Sequence, residues 1–209
     1  LQRDWQTDLG QPLHTIAEIF EGSSQDLVTM WSEGAYSAAF NFPLHYALVD
    51  TYCKGAHLGR LVSTLDETQA LREEGWINFL DNHDVSRISS ACGDEVPRVR
   101  QPLIALLLAP GTPMVTYGTE SALTGAEEPS NRGDMVFDRT PLAEPIRELL
   151  ALRKAHPALH RGTRQTLELS ADLWVDLRWT ETESLVIVVN RADAPRAVSL
   201  PWTQGDVVF

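Results

Sequence analysis

The chain has 209 residues, 43% hydrophobic and 22% charged, a globular composition with room for one large domain or a medium one with a small appendix. A net charge of −12 argues against nucleic acid or an anionic membrane as partner, since both require a basic surface, and suits a neutral ligand such as a sugar without singling out that class. No apolar run approaches the roughly 20 residues of a membrane span, and the longest, around Leu103 to Ala109, is far shorter.

The N-terminus, Leu1-Gln-Arg-Asp, is neither an initiator methionine nor a signal peptide, and reads as a processed, cleaved or truncated chain. Cys53 and Cys92 lie far apart without metal-like spacing. They read as two buried thiols, with a disulfide as the alternative, and the compartment is left open.

Residues 1 to 12 are mostly polar, with Trp5 their only aromatic group and Pro12 closing them. Leu13 to Phe20 is the first expected strand. Within it Glu18 stands between Ala17 and Ile19, where desolvation would disfavour the charged carboxylate, a property suited to a general acid. The alternative is an edge strand with Glu18 facing water, and Glu21 reads as a solvated loop residue. Ser23 or Ser24 is placed to cap a helix through about Trp31. Ala38 to Phe42 reads as the next strand. Helical spacing resumes at Leu44, Ala47, Leu48 and Tyr52, and again at Leu58, Leu61, Val62 and Leu65, with His45 and His57 inside these helices in surface or structural roles.

The stretch from Trp76 to Arg87 carries the densest chemistry. Trp76, Ile77, Phe79 and Leu80 form a buried-strand pattern that stops in Asp81, Asn82, His83 and Asp84. Barrels of alternating strands and helices build their sites in the loops after such strands. An imidazole beside a carboxylate can donate hydrogen bonds and set negative charge against hydroxyls or a developing cation. The alternative is a polar turn in which Asn82 or Asp84 caps the next helix. Arg87 either faces this site or pairs with the acidic loop Gly93-Asp-Glu95.

Arg98 to Ala109 reads as a helix with Leu103, Leu106 and Leu107 on its core face, and Met114 to Tyr117 as a strand with a sharp exit at Gly118. Tyr117 either offers an aromatic face to a ligand or packs the barrel, and Glu120 shapes the loop. Leu123 to Asp138 is a long Gly- and Pro-containing loop of the functional kind. Leu142, Ile146, Leu149 and Leu150 mark one helix face, ended by His156-Pro157 and Gly162. From Arg164 the period becomes two: Leu173, Val175, Leu177 and Trp179 alternate with Trp174, Asp176 and Arg178. Leu185 to Val189 reads as a more buried strand and Arg196 to Leu200 as another, and the tail stops at Val207-Val-Phe209 in what reads as mid-strand.

Several of these stretches resemble the α-amylase superfamily of glycoside hydrolases. Phe79-Leu-Asp-Asn-His-Asp84 is similar to its Phe-x-x-Asn-His-Asp block, and Thr15-Ile-Ala-Glu-Ile-Phe20 to its general-acid strand. Gly111-Thr-Pro-Met-Val-Thr-Tyr-Gly-Thr-Glu120 is similar to its last barrel strand, with Thr116 replacing a tyrosine of the pattern. Leu152 to Gly162 resembles its final barrel helix and exit, and Asn131-Arg132 a position near its substrate cleft. The likeness spans most of residues 13 to 165.

The resemblance implies an α/β chain comprising the second half of a (β/α)8 TIM barrel over residues 1–162. A partial antiparallel β-sandwich-type domain follows over 163–209. Only four barrel-type strands are found, near residues 15, 39, 78 and 115, whereas a closed barrel has eight and typically about 250 residues. The family's nucleophile block, Gly-x-Arg-x-Asp, does not occur in the sequence. The implied activity is retaining cleavage of α-glucosidic bonds, with Glu18 as acid/base and Asp84 as the transition-state-stabilising carboxylate. His83, Asn82, Arg87, Tyr117 and Arg132 would bind substrate. The nucleophile would come from an N-terminal half-barrel, either upstream sequence or a second chain. No metal or other cofactor is implied here, and any calcium would belong to that half. Alternatives are a transglycosylase or isomerase of trehalose synthase or amylosucrase type, a catalytically silent binding subunit, and an unrelated barrel enzyme using His83 and Asp84 as metal ligands.

Overall fold

The computed structural model describes residues 10, 13–71, 74–200 and 205–209, so Trp5 and Pro12 lie outside it. Four short parallel strands form one sheet in the order β1-β2-β3-β4: Ile16–Ala17, Ala38–Phe40, Trp76–Phe79 and Thr112–Met114. Parallel neighbours need crossover connections, and each crossover here is helical. The first is α1, Ser24–Glu33. The second is the pair α2, Phe42–Tyr52, and α3, Leu58–Leu71. The third pairs α4, Ile88–Ala91, with α5, Val96–Leu108. After β4 come α6, Ala143–Ala155, and α7, Ala158–Arg161. The arrangement is a partial TIM barrel. Its strands are shorter than the sequence pattern suggests at both ends of the sheet. Glu18 and Tyr117 therefore sit just beyond β1 and β4 rather than inside them.

Local chemistry explains the helix starts. Ser23 accepts a hydrogen bond from the Asp26 amide, and the Asn41 side chain accepts one from the Leu44 amide with Pro43 in the first turn. Asn41 Nδ2 also donates to Asn78 Oδ1, and Asn78 Nδ2 to the Pro110 carbonyl, so two buried amides tie β2, β3 and the approach to β4 together. The main core lies between the sheet and its outer helices, where Leu44, Leu48, Leu58, Leu61, Leu103, Leu106 and Leu107 are at most 1% exposed. His57 stands just before α3, not within a helix, and its Nδ1 accepts from the Gly59 amide.

His45 is buried in this core, stacked on Phe79 at 4.9 Å, with Nδ1 donating to the Leu80 carbonyl at 2.8 Å. Burial lowers its pKa from 6.5 to about 4, outweighing the Leu80 carbonyl and Asp50, which favour the imidazolium. The fold holds His45 neutral, so its contribution is complete above about pH 6.5. It falls away towards pH 4 as the unfolded chain takes up the proton. The loss should total about 3 kcal/mol. We expect the urea midpoint to fall between pH 7 and pH 4.5, and to fall less in His45→Phe. An identical pH slope in the variant would show that His45 is not the titrating group.

Cys53 and Cys92 form a disulfide. This replaces the two-thiol expectation and ties the end of α2 to the end of α4 across a sequence separation of 39. Nothing in the spacing could reveal it, because the fold brings the two helix ends together. In the chain-entropy account a loop of this size is worth on the order of 4 kcal/mol.

The last helix differs from expectation in one residue. Leu149 is buried but Leu150 is 43% exposed, and the buried face continues instead through Arg153. The Arg153 guanidinium donates to the carbonyls of Leu107, Ala109 and Gly111, serving groups that the end of α5 leaves unpaired.

The second sheet is antiparallel, in the order β5-β6-β7: Thr163–Leu169, Leu173–Trp179 and Ser184–Asn190. It begins directly after Gly162, where a Cβ would lie 2.4 Å from the Ala158 carbonyl oxygen. In β6 the face expected to be polar and outward is buried: Trp174, Asp176 and Arg178 are at most 3% exposed. Arg178 reaches back to the Leu108 and Leu159 carbonyls, and Asp176 accepts from both Arg178 and Arg164. Arg164 also pairs with Asp66 on α3. A buried charge is tolerated when paired and hydrogen-bonded, and alternation alone does not distinguish that from a wet face. Strand β7 is only partly buried, not the more buried of the two. The stretch from Arg196 to Leu200 forms no strand, nor does Val207-Val-Phe209. Among the described residues no helix is long and apolar enough to cross a membrane.

Candidate active site

All four strands run in one direction, so the loops after β1, β3 and β4 meet at one edge of the sheet. Glu18 follows Ala17 at the end of β1, and Asn82, His83 and Asp84 follow β3. One carboxylate or imidazole atom from each of Glu18, His83 and Asp84 lies within 4.8 Å of the other two. Three residues up to 66 positions apart thus converge, as the ordered motifs imply. Glu18 is exposed in this chain, so the desolvation expected from its apolar neighbours is absent here. Those neighbours point elsewhere: Ala17 turns into the sheet, while Phe20 packs on Phe42 at 4.4 Å.

Asp84 is held from two sides. Its Oδ1 accepts from Arg132 Nη2 at 2.9 Å, and its Oδ2 lies 3.2 Å from His83 Nε2. Arg132 Nε also donates to the His83 carbonyl, which accepts Asn131 Nδ2 as well. Asn131 donates a further bond to the Val85 carbonyl. Asn131 and Arg132 lie in a 3-10 turn, Ser130–Arg132, in the long loop after β4, so that loop is bound to the Asn-His-Asp loop. The side chains of His83, Arg132 and Asp84 are 57%, 43% and 28% exposed, within reach of a ligand.

Two expected ligand contacts have other roles. Asn82 is buried, and its Oδ1 accepts the amides of Asp84 and Val85, folding the turn that presents Asp84. Arg87 is 0% exposed and reaches neither solvent nor the acidic loop. Its Nη2 donates to the Tyr117 carbonyl, its guanidinium lies 5.0 Å from the Tyr117 ring centre, and Nη1 is 3.8 Å from Asp81 Oδ1. Tyr117 is 46% exposed and its hydroxyl donates to the Gly133 carbonyl, leaving part of the ring open. The Glu120 carbonyl accepts the Leu142 amide, a loop-shaping role.

Asp81 carries no separate expectation from its place in the sequence. Its Oδ2 accepts the Ile88 amide at the start of α4, Thr119 Oγ1 donates to Oδ1, and Thr116 Oγ1 donates to its carbonyl. Burial pushes the Asp81 carboxyl up, against the opposing pull of Arg87 and these hydrogen bonds. Thr116, the departure from the family pattern, therefore joins β4 to the end of β3 through its hydroxyl. Asp81 leads the polar run and, like Leu80 before it, is still inside at 2% exposed.

Glu18, His83 and Asp84 also form a donor set that could hold a cation. A metal would have to displace Arg132 and His83 from Asp84, whose two oxygens they already occupy. The arrangement suits ring hydroxyls better: a carboxylate and an imidazole side by side, with a second carboxylate facing them.

Comparison with known proteins agrees with this fold. The family model described as the α-amylase catalytic domain matches residues 3–140. A cyclomaltodextrinase from Geobacillus thermopakistaniensis is 30% identical over 185 residues, covering 82% of this chain and 31% of the relative. A cyclomaltodextrin glucanotransferase from Paenibacillus macerans is 36% identical over 118 residues, 56% of this chain and 16% of the relative. Among solved structures, an Anoxybacillus α-amylase superposes with a TM-score of 0.82 at 27% identity, covering 90% of this chain and 43% of that one. The cyclic α-maltosyl-(1→6)-maltose hydrolase of Arthrobacter globiformis, in complex with cyclic α-maltosyl-(1→6)-maltose, gives 0.78 at 25% identity, covering 91% and 45%. The chain thus spans about a third or less of these curated relatives and under half of the solved chains. With its four parallel strands, its ordered motifs and the convergence of Glu18, His83 and Asp84, this chain belongs to the α-amylase catalytic-domain family.

Proposed function

We propose that the chain is the second half of a catalytic barrel, over residues 1–162, joined to a partial β-domain over 163–209. The enzyme it belongs to acts on α-glucosidic bonds with retention of configuration. The observation that carries this reading is the meeting of Glu18, His83 and Asp84 at the carboxyl edge of the sheet. Glu18 is the general acid that protonates the leaving oxygen and then the base that activates the incoming acceptor. Asp84 and His83 grip adjacent ring hydroxyls, with bonds that tighten as positive charge develops at the anomeric centre. Arg132 fixes Asp84, and the open part of the Tyr117 ring offers an apolar face to a sugar. The nucleophile comes from a half-barrel that completes the sheet, supplied upstream or by a second chain. No step of this reading draws on a cofactor bound to this chain.

The named relatives include a cyclomaltodextrinase and a cyclomaltodextrin glucanotransferase, which supports α-linked maltooligosaccharides as the substrate class and hydrolysis or glycosyl transfer as the outcome. The test is stereochemical. When the completed protein acts on maltotriose, proton NMR should show the new reducing end first as the α anomer, with the β anomer appearing later by mutarotation. First appearance of the β anomer would contradict retention, and turnover of β-linked but not α-linked glucans would contradict the substrate class.

A further inference from the structure

Arg87 is fully buried, yet the protein leaves two of its donors, Nε and Nη1, without a hydrogen-bond partner. A buried guanidinium is an expensive space filler, and an apolar residue of similar volume is often as stabilising. What Arg87 does have is position. Its backbone amide donates to the Gly125 carbonyl, its Nη2 to the Tyr117 carbonyl, and its guanidinium carbon lies 5.0 Å from the Tyr117 ring centre. Gly118 makes room for it: φ there is +83°, and a Cβ would lie 2.6 Å from Nη2. On its other side stands Asp81, whose carboxylate starts α4 and whose carbonyl holds Thr116.

Arg87 thus lies on the shared seam of two loops. One carries His83 and Asp84; the other runs from Tyr117 through Gly125 to Arg132, which grips Asp84. We propose that Arg87 is a positioning residue, whose buried guanidinium locks the loop after β4 onto the loop after β3 and so holds Arg132, Asp84 and His83 in register. The catalytic consequence rests on the glycosidase reading above; the locking itself does not. Arg87 touches no sugar and acts only through Tyr117, Asp81 and the backbone.

The test uses the completed protein with Arg87→Lys and Arg87→Met, and a double variant Arg87→Met/Asp81→Asn so that no bare carboxylate is left buried if the single change fails to fold. Two readouts are taken: kcat and KM on maltooligosaccharides, and amide hydrogen exchange resolved along the chain. We expect kcat to fall about 100-fold in Arg87→Met, the scale of a misplacement near 1 Å, with KM little changed. Exchange should quicken in the segments around 82–86 and 117–133 while the core helices stay protected. Arg87→Lys, which keeps the charge but not the planar guanidinium, should recover part of both. Raised KM at unchanged kcat would make Arg87 a ligand contact and overturn the proposal. Unchanged kcat with uniformly faster exchange would make it a structural filler and also overturn it. If the parent protein turns over no α-glucan, the glycosidase reading fails, and the exchange pattern alone decides: local loosening at the two segments upholds the lock, its absence refutes it.

Discussion

Glu18→Gln in the completed enzyme is expected to lower turnover of maltooligosaccharides by about 10²- to 10⁴-fold, the range that a positioned general acid contributes. The glutamine keeps the size of the side chain and can still hydrogen-bond, so binding should survive and the loss should fall on kcat. It cannot transfer a proton. A sugar leaving group is a poor one without protonation, whereas a nitrophenolate leaves unaided. The same variant should therefore lose much less on the first step with an activated aryl α-glucoside. Glu18 stands just after β1, with a carboxylate oxygen within 4.8 Å of ligand atoms of His83 and Asp84. Equal losses on both substrates would show that Glu18 is not the acid.

How far this was legible in the sequence differs between elements. The strand–helix order and the core faces of α2, α3 and α5 follow from spacing, because Leu44, Leu48, Leu61, Leu65, Leu103 and Leu107 repeat at helical intervals and are all buried. Pattern fails where charge goes inside. Arg153 and Arg178 look like surface residues in any periodicity, yet they are buried to serve carbonyls at the end of α5. Asp176 is buried because Arg164 and Arg178 bracket it. No local window contains that information, since the carbonyl groups concerned lie 46 and 70 residues away.

The site divides in the same way. His83, Asp84 and Glu18 were singled out by their resemblance to family motifs, because the residues alone left a capping turn open for Asp84 and a water-facing edge strand open for Glu18. Asn82 and Arg87 belong to the same run, but their side chains turn inward, one to fold the turn and the other to seal the seam with Tyr117. Sequence proximity to a site does not say which way a side chain faces in a loop. The disulfide between Cys53 and Cys92 was hidden for a related reason: only the packing of α2 against the segment after β3 brings the two residues together.

The exposed position of Glu18 has a simple physical counterpart. A four-stranded parallel sheet leaves β1 and β4 as open edges, and parallel sheets are stable when closed or covered. Ile16 and Phe20 beside the β1 edge are 53% and 55% exposed, an apolar margin suited to a neighbouring strand. On the proposed reading, completion of the barrel would cover that margin. On the same reading, structure and chemistry share one cause: the half that would close the sheet would also bring the nucleophile.

That dependence is the central claim, and a complementation assay tests it most directly. The 209-residue chain is assayed alone and then fused to, or mixed with, a half-barrel that supplies the upstream strands and the Gly-x-Arg-x-Asp block. The substrate is an aryl α-glucoside, whose good leaving group makes the acid almost dispensable, so that the nucleophile governs the rate. On the proposed reading Glu18 protonates the leaving group and His83 with Asp84 hold hydroxyls, so attack on the anomeric carbon from the far side falls to a carboxylate of the other half. The account predicts no enzymatic turnover by the chain alone and recovery when the two halves are joined. Steady turnover by the 209-residue chain alone would contradict it, because the nucleophile would then lie within this sequence.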